Sequence, residues 1–185
     1  MPTENERKYV LINEPPVVQE ISKRADRLLA IEQAWLHHGK HWNFRIRKTF
    51  GPHYPDPIYN ATFKQHVSKR LIEIETDIDE RDYFDLLKQT DSILQKTRYV
   101  IPVGALKWEV DLFYDKKRSN LYFVMAEIEL PEGTTNPPSI PDFISNNLLF
   151  EVPVDNTKFS SRKLQNIEHA IEMYNQLFEE KYNGQ

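Results

Sequence analysis

The chain has 185 residues, with 24 Lys and Arg against 28 Asp and Glu, a formal net charge of −4. That length fits one domain, 1–185, and 39% hydrophobic with 12% aromatic residues is enough to pack a core. Mild acidity argues against a general partner for nucleic acid or anionic membrane, and the absence of Cys excludes disulfides, thiolate metal sites and a thiol nucleophile.

The chain opens on Met1-Pro2-Thr3-Glu4-Asn5-Glu6, which is polar and acidic, unlike the start of a signal peptide. A first strand is expected over 3–12, rich in β-branched and aromatic residues. Pro15-Pro16 then break the chain, and a helix follows at 16–26. Strands are expected at 28–36 and 42–50. Three prolines make Gly51-Pro52-His53-Tyr54-Pro55-Asp56-Pro57 a loop. Strands at 59–66 and 70–78 lead to a helix at 79–90. Three more strands, 96–103, 106–115 and 120–130, precede a Pro-rich loop that reaches Pro141. A last helix is expected at 160–181, where Leu164, Ile167, Ala170, Ile171, Tyr174 and Leu177 recur at helical spacing.

Eight strands with few helices predict a mainly-β, α+β fold, an eight-stranded closed antiparallel barrel with helices packed on its outside. No apolar run approaches the roughly 20 residues that cross a bilayer. We therefore expect a cytoplasmic protein with no membrane partner. The five glycines are too dispersed for a dinucleotide fingerprint, a Walker loop or a nucleophile elbow.

Residues i and i+2 of a strand share a face. On that rule Glu4, Glu6 and Lys8 lie together, as do Arg45 with Arg47, and Thr62 with Lys64. So do Glu73 with Glu75, Lys96 with Arg98, Glu109 with Asp111, and Glu127 with Glu129. The opposite parity is apolar: Phe44 and Ile46, Ile72 and Ile74, Trp108, Val110 and Leu112, then Val124, Ala126, Ile128 and Leu130. Any single doublet reads as well as the solvated face of an amphipathic sheet. Seven together, sorted into acids and bases, point to one shared polar surface. Clustered carboxylates without a neighbouring base suit a hard divalent cation bound through oxygen. Clustered Arg and Lys suit a polyanion, and phosphate matches the planar guanidinium. A surface with both is a metal–polyphosphate site.

These residues also carry a family resemblance. Glu4-Asn5-Glu6-Arg7-Lys8 resembles the ExExK signature of the CYTH superfamily, the triphosphate tunnel metalloenzymes. Phe44-Arg45-Ile46-Arg47 is similar to the paired-arginine strand, Thr62-Phe63-Lys64 to TxK, Glu73-Ile74-Glu75 to the central ExE, and Lys96-Thr97-Arg98-Tyr99 to KxRY. Trp108-Glu109-Val110-Asp111-Leu112-Phe113 resembles WEVDxF, and Ala126-Glu127-Ile128-Glu129-Leu130 resembles AExEL. They recur in family order over nearly the whole chain. The resemblance implies an eight-stranded tunnel binding a triphosphate and two Mg²⁺ or Mn²⁺ ions. It assigns Glu4, Glu6, Glu127 and Glu129 as the main metal ligands, with Asp111 assisting. Lys8, Arg45, Arg47, Lys64, Lys96 and Arg98 would hold the phosphates. Glu73, Glu75, Asp111 and Lys8 would take catalytic parts.

Three places depart from the family pattern. Arg70 lies three residues before Glu73 where the family has two, so a regular strand turns it to the other face unless a bulge intervenes. Asn120-Leu121 replaces a Gly-Leu turn. Glu151-Val152-Pro153-Val154-Asp155-Asn156-Thr157-Lys158 resembles EVTxDxR with one residue inserted and Lys for Arg.

Other features read as structural. His37, His38 and His41 lie at a hairpin turn as surface imidazoles. Trp35, Trp42 and Trp108 are packing residues. Lys116-Lys117-Arg118 is a solvated tip, and the last helix covers the apolar exterior.

The function expected is hydrolysis of inorganic tripolyphosphate or another small triphosphate by metal-activated water, with no nucleic-acid partner. The alternatives are an adenylyl cyclase of the class that shares this fold, and a polyphosphate- or nucleotide-binding module without turnover.

Overall fold

The computed structural model describes residues 5–39, 42–67, 70–131, 133–134, 139–154 and 156–182. The strands are β1 (Glu6–Leu11), β2 (Arg27–His38), β3 (Trp42–Phe50), β4 (Ile58–Val67), β5 (Arg70–Asp77), β6 (Ile93–Val103), β7 (Leu106–Tyr114), β8 (Leu121–Glu129) and β9 (Leu148–Val152). The helices are α1 (Pro15–Arg24), α2 (Glu80–Leu87), α3 (Asp142–Ser145), α4 (Ser161–Leu164) and α5 (Ile167–Tyr182), with a 3-10 turn at Thr157–Phe159.

Local chemistry sets several boundaries. Pro15 and Pro16 begin α1 rather than merely interrupting the chain, since the first helical turn needs no amide donors there. The Asp79 carboxylate caps α2 by accepting from the Asp82 amide at 2.8 Å. Gly104 takes φ +60 in the two-residue β6–β7 turn, a backbone that glycine adopts without strain.

All pairings are antiparallel, in the order β5-β4-β3-β2-β6-β7-β8-β1-β9. The eight strands expected from alternation all form, and β9 is a ninth. The sheet does not close into the expected barrel: β5 and β9 are its two edges. β1 is the strand that closure would have offered to β5, and its second side is taken by β9. β5 pairs with β4 from Arg70 to Asp77 without a register shift, so no bulge separates Arg70 from Glu73. The sheet is nevertheless strongly curled, because Glu73 of β5 and Glu6 of β1, seven steps apart in the order, line one cavity.

The two faces differ. On the convex face, α1 and α3 bury Val17, Ile21, Phe143 and Ile144 against Trp108, Val110, Leu112, Val124, Ala126 and Ile128. Farther along, α2 sets Tyr83 on Ala34, Ile46 and Ala61. This is the apolar parity read from sequence, although Ile74 on β5 stays 58% exposed.

The last helix does not cover that exterior. The expected 160–181 helix is α4 plus α5, and α5 packs with Phe159 and Leu164 on Val10, Leu94, Phe113, Phe123 and Met125. Those residues share a strand face with Lys8, Lys96, Asp111 and Glu127. The concave face is therefore polar at one end and apolar at the other, and the C-terminal helices sit on its apolar end. A small barrel filled by its own side chains leaves no room for such a helix layer inside, which is the physical reason for an open trough. Phe123 is fully buried here between Phe113, Phe159 and Tyr174. Phe123→Ala should cost about 3–5 kcal/mol of stability, measured by urea unfolding.

Candidate functional site

The concave face holds a cavity of about 630 Å³. Its wall carries eight cationic side chains, Lys8, Arg45, Arg47, Lys64, Lys96, Arg98, Lys107 and Arg162, and five acids, Glu6, Glu73, Glu109, Glu127 and Glu129. A local excess of positive charge inside a chain of net charge −4 marks the cavity as an anion site.

The charges are sorted by strand. At one side, β1, β7 and β8 bring Glu6, Glu109, Glu127 and Glu129 together, with Glu6 opposite Glu129 and Glu109 opposite Glu127. At the other side, β3 and β4 supply Arg45, Arg47 and Lys64. Lys96 and Arg98 of β6 stand between them.

A buried ion cluster underlies the middle. Asp111 is 0% exposed and Lys96 2%. The Lys96 ammonium donates to Asp111 at 2.5 Å, and Arg98 donates to both Asp111 oxygens at 2.7 Å. Arg98 also reaches Glu109, and Glu127 at 3.2 Å. Burial opposes the Arg98 charge, but Asp111, Glu109 and Glu127 outweigh it and hold its pKa above the ordinary value. Asp111 is burdened by burial too, yet Arg98 and Lys96 keep its carboxyl well below the usual range. Burial, with the Arg98 charge beside it, lowers Lys96 to about 8, and Asp111 works the other way.

On the acidic side Lys8 bridges Glu6 at 2.8 Å and Glu127 at 3.1 Å. Burial disfavours its charge, but these two carboxylates prevail and raise its pKa. On the basic side Lys64 pairs with Glu73 at 3.1 Å, and Arg45 lies 4.0 Å from it. Arg47 donates through Nε and Nη2 to Gln33 Oε1 at 3.3 and 3.1 Å. Burial and the neighbouring Arg45 and Arg98 push Arg47 down to about 10.

Among the residues expected from sequence, Glu6, Lys8, Arg45, Arg47, Lys64, Glu73, Lys96, Arg98, Glu127 and Glu129 thus line one cavity. Glu4 lies outside the described residues. Glu75 is exposed, off the cavity wall, and accepts the Thr62 hydroxyl at 2.9 Å. Asp111 sits beneath the wall with both oxygens engaged, so here it anchors cations rather than presenting a free ligand.

The sequence reading did not single out Gln33, Asn43, Lys107 or Arg162 of the wall. Lys107 lies two residues before Glu109, and Asn43 two before Arg45, so the same alternation would have found both. Gln33 and Arg162 have no charge doublet beside them to betray them. His38 lines the cavity, where burial and nearby Arg162 lower its pKa. His37 stacks on Trp42 at 3.7 Å between ring centroids, and His41 lies outside the described residues. Arg118 is no solvated tip: at φ 56 it folds back onto Gln95, Thr97 and the Lys96 carbonyl. Lys158 is exposed and stands off the wall, and Arg162 is the cation that its segment brings to the cavity.

Among the described residues, no three His, Asp or Glu side chains converge closely enough to hold a metal ion. The donors are nonetheless hard oxygens, and Glu6 and Glu127 already converge on one cation, the Lys8 ammonium. Mg²⁺ characteristically takes one or two carboxylates, several waters and substrate phosphate oxygens instead of an all-protein cage. The carboxylate wall fits an ion that arrives with a phosphate ligand.

No family model matches the chain, and no curated protein matches it. Among solved structures, the hypothetical protein NE1496 aligns with a TM-score of 0.53 at 21% identity, over 88% of this chain and 97% of that one. This likeness shows a shared fold. PH1012 from Pyrococcus horikoshii OT3 aligns at 0.49 and 18% identity, over 73% and 81% of the two chains. A Bacillus halodurans protein named a "putative adenylate cyclase" aligns at 0.47 and 15%, over 85% and 97%. Below a TM-score of 0.5 a likeness carries no argument for fold or activity.

Proposed function

We propose that this chain is a CYTH-type, divalent-metal-dependent triphosphatase that hydrolyses inorganic tripolyphosphate or another small triphosphate. The observation that carries the reading is the sorted cavity, with a collar of basic side chains facing a wall of carboxylates on one curled sheet. A metal triphosphate has the same division of charge.

Glu6, Glu127 and Glu129, with Glu4, would hold Mg²⁺ or Mn²⁺, two ions in full occupancy. Bound there, the metal would neutralise phosphate charge and acidify a coordinated water. The chain's own groups do the rest. Arg45, Arg47, Lys64, Lys96 and Arg98 bind the phosphoryl oxygens and stabilise charge on the leaving side. Lys8, fixed between Glu6 and Glu127, donates to the group beside the carboxylates. Glu73, on the cavity wall and paired with Lys64, would orient water, a part that Glu75, off that wall, fills less well. Asp111 keeps Lys96 and Arg98 charged and aimed. The partner in this reading is a small molecule, with neither nucleic acid nor membrane. No helix among the described residues is long and apolar enough to cross a membrane.

Phosphate release should be measured with tripolyphosphate, ATP and thiamine triphosphate, each with Mg²⁺, Mn²⁺ or chelator. Metal-dependent release from tripolyphosphate is expected. Cyclic AMP formed from ATP would assign a cyclase instead. Tight tripolyphosphate binding with no product under either metal would make the protein a binding module.

A further inference from the structure

One buried donor in the cavity has no acceptor. Gln33 is 1% exposed and lines the cavity wall from β2, level with Arg47 on β3 and Leu94 on β6. Its Oε1 takes both prongs of the Arg47 guanidinium. That fixes the amide: reversed, it would set its own NH₂ against a group that can only donate. The Nε2 is therefore the atom turned away from Arg47, and it has no hydrogen-bond partner among the described residues. Buried amide donors are rarely left unpaired, because the lost hydration is not recovered. This one lies covered just behind the wall of a cationic cavity, and it is explained if a ligand that shifts the side chains over it brings the acceptor.

We infer that Gln33 is a further substrate-binding residue, whose Nε2 donates to a phosphoryl oxygen held by Arg47, on the group farthest from the carboxylate wall. This deepens the triphosphate reading and rests on it. The ligand chemistry follows from the surroundings, since an acceptor among Arg45, Arg47 and Lys96 is anionic oxygen. A neutral donor also suits this spot. Arg45, Arg47 and Arg98 already repel one another, and an amide adds a hydrogen bond without adding a further positive charge. Through its two ends Gln33 both aims Arg47 and reads the ligand.

The probe is tripolyphosphate, titrated calorimetrically without divalent metal, with thermal unfolding as the check on folding. Gln33→Met removes donor and acceptor at nearly constant volume, and binding should weaken about tenfold. Gln33→Glu keeps the acceptor for Arg47 but replaces the donor with a negative charge, so its loss should be larger. The Met exchange is repeated in an Arg47→Lys background, where the two-pronged contact is already gone. A further weakening of about tenfold there shows that Gln33 acts on the ligand directly. No further loss means that it acts only through Arg47, which overturns the inference. Should Gln33→Met fail to fold, Gln33→Glu decides, and binding within about twofold of the parent overturns the inference. A parent protein that binds tripolyphosphate neither alone nor with Mg²⁺ or Mn²⁺ defeats the triphosphate reading itself, so the two failures are distinct; where only the metal complex binds, the same variants are titrated with it.

Discussion

Asp111→Asn should destabilise the protein by about 3–5 kcal/mol, because it removes the shared counter-charge of two buried cations. Asp111 is fully buried and receives three hydrogen bonds, one from Lys96 and two from Arg98. Arg98 keeps Glu109 and Glu127 in the variant. Among the described residues only the Glu127 charge, with no direct contact, is left to favour the Lys96 ammonium, and its pKa, already lowered to about 8, falls further. The pH dependence has a definite sign. A lysine whose pKa is lower folded than unfolded binds fewer protons in the native state, so its burial weighs less as pH rises. The unfolded lysine is common to both proteins, so the gap should narrow over the pH range just below about 8, where the variant's Lys96 sheds its proton before the parent's, and stay level above it. Urea unfolding across that window measures it. A gap that widens with pH would show that Lys96 is not the strained group. Tripolyphosphate should restore part of the lost stability, since it brings negative charge to the same two cations.

The strands were legible in this chain because the cavity charges come at i and i+2. Arg45 with Arg47, Lys96 with Arg98, and Glu127 with Glu129 mark both the strand and its inward face. β9 was not legible: Leu148–Val152 is five residues long and carries one ionisable residue, Glu151, so no alternation stands out. Openness is hidden in the sequence for a related reason. The charged positions mark only half of the inward face, and Val10, Phe113, Phe123 and Met125 continue the same parity as grease. That apolar half demands a cover, and α5 supplies it from the concave side. Arg118 was invisible for another reason, since a long side chain that folds back from a turn depends on tertiary neighbours. Gln33 was silent because β2 bears no inward charge doublet, and an amide declares its role only when its partner, Arg47, is placed beside it.

Glu127→Gln should abolish metal-dependent turnover while leaving a folded protein. In the proposed reading Glu127 is a metal ligand, and an amide oxygen is a far weaker donor to Mg²⁺ or Mn²⁺ than a carboxylate. The same carboxylate lies 3.1 Å from Lys8 and 3.2 Å from Arg98, so the exchange also removes a counter-charge. Its effect on stability should stay small, because Lys8 retains Glu6 and Arg98 retains Asp111 and Glu109. The substitution makes the cavity more positive, so metal-free tripolyphosphate should bind at least as tightly as to the parent. Loss of turnover with binding retained is the pattern of a missing metal ligand. Parallel loss of binding and of cooperative unfolding would make Glu127 a structural counter-ion, and parental turnover would remove it from the metal site altogether. Phosphate release, calorimetric titration and urea unfolding on one preparation separate the three results.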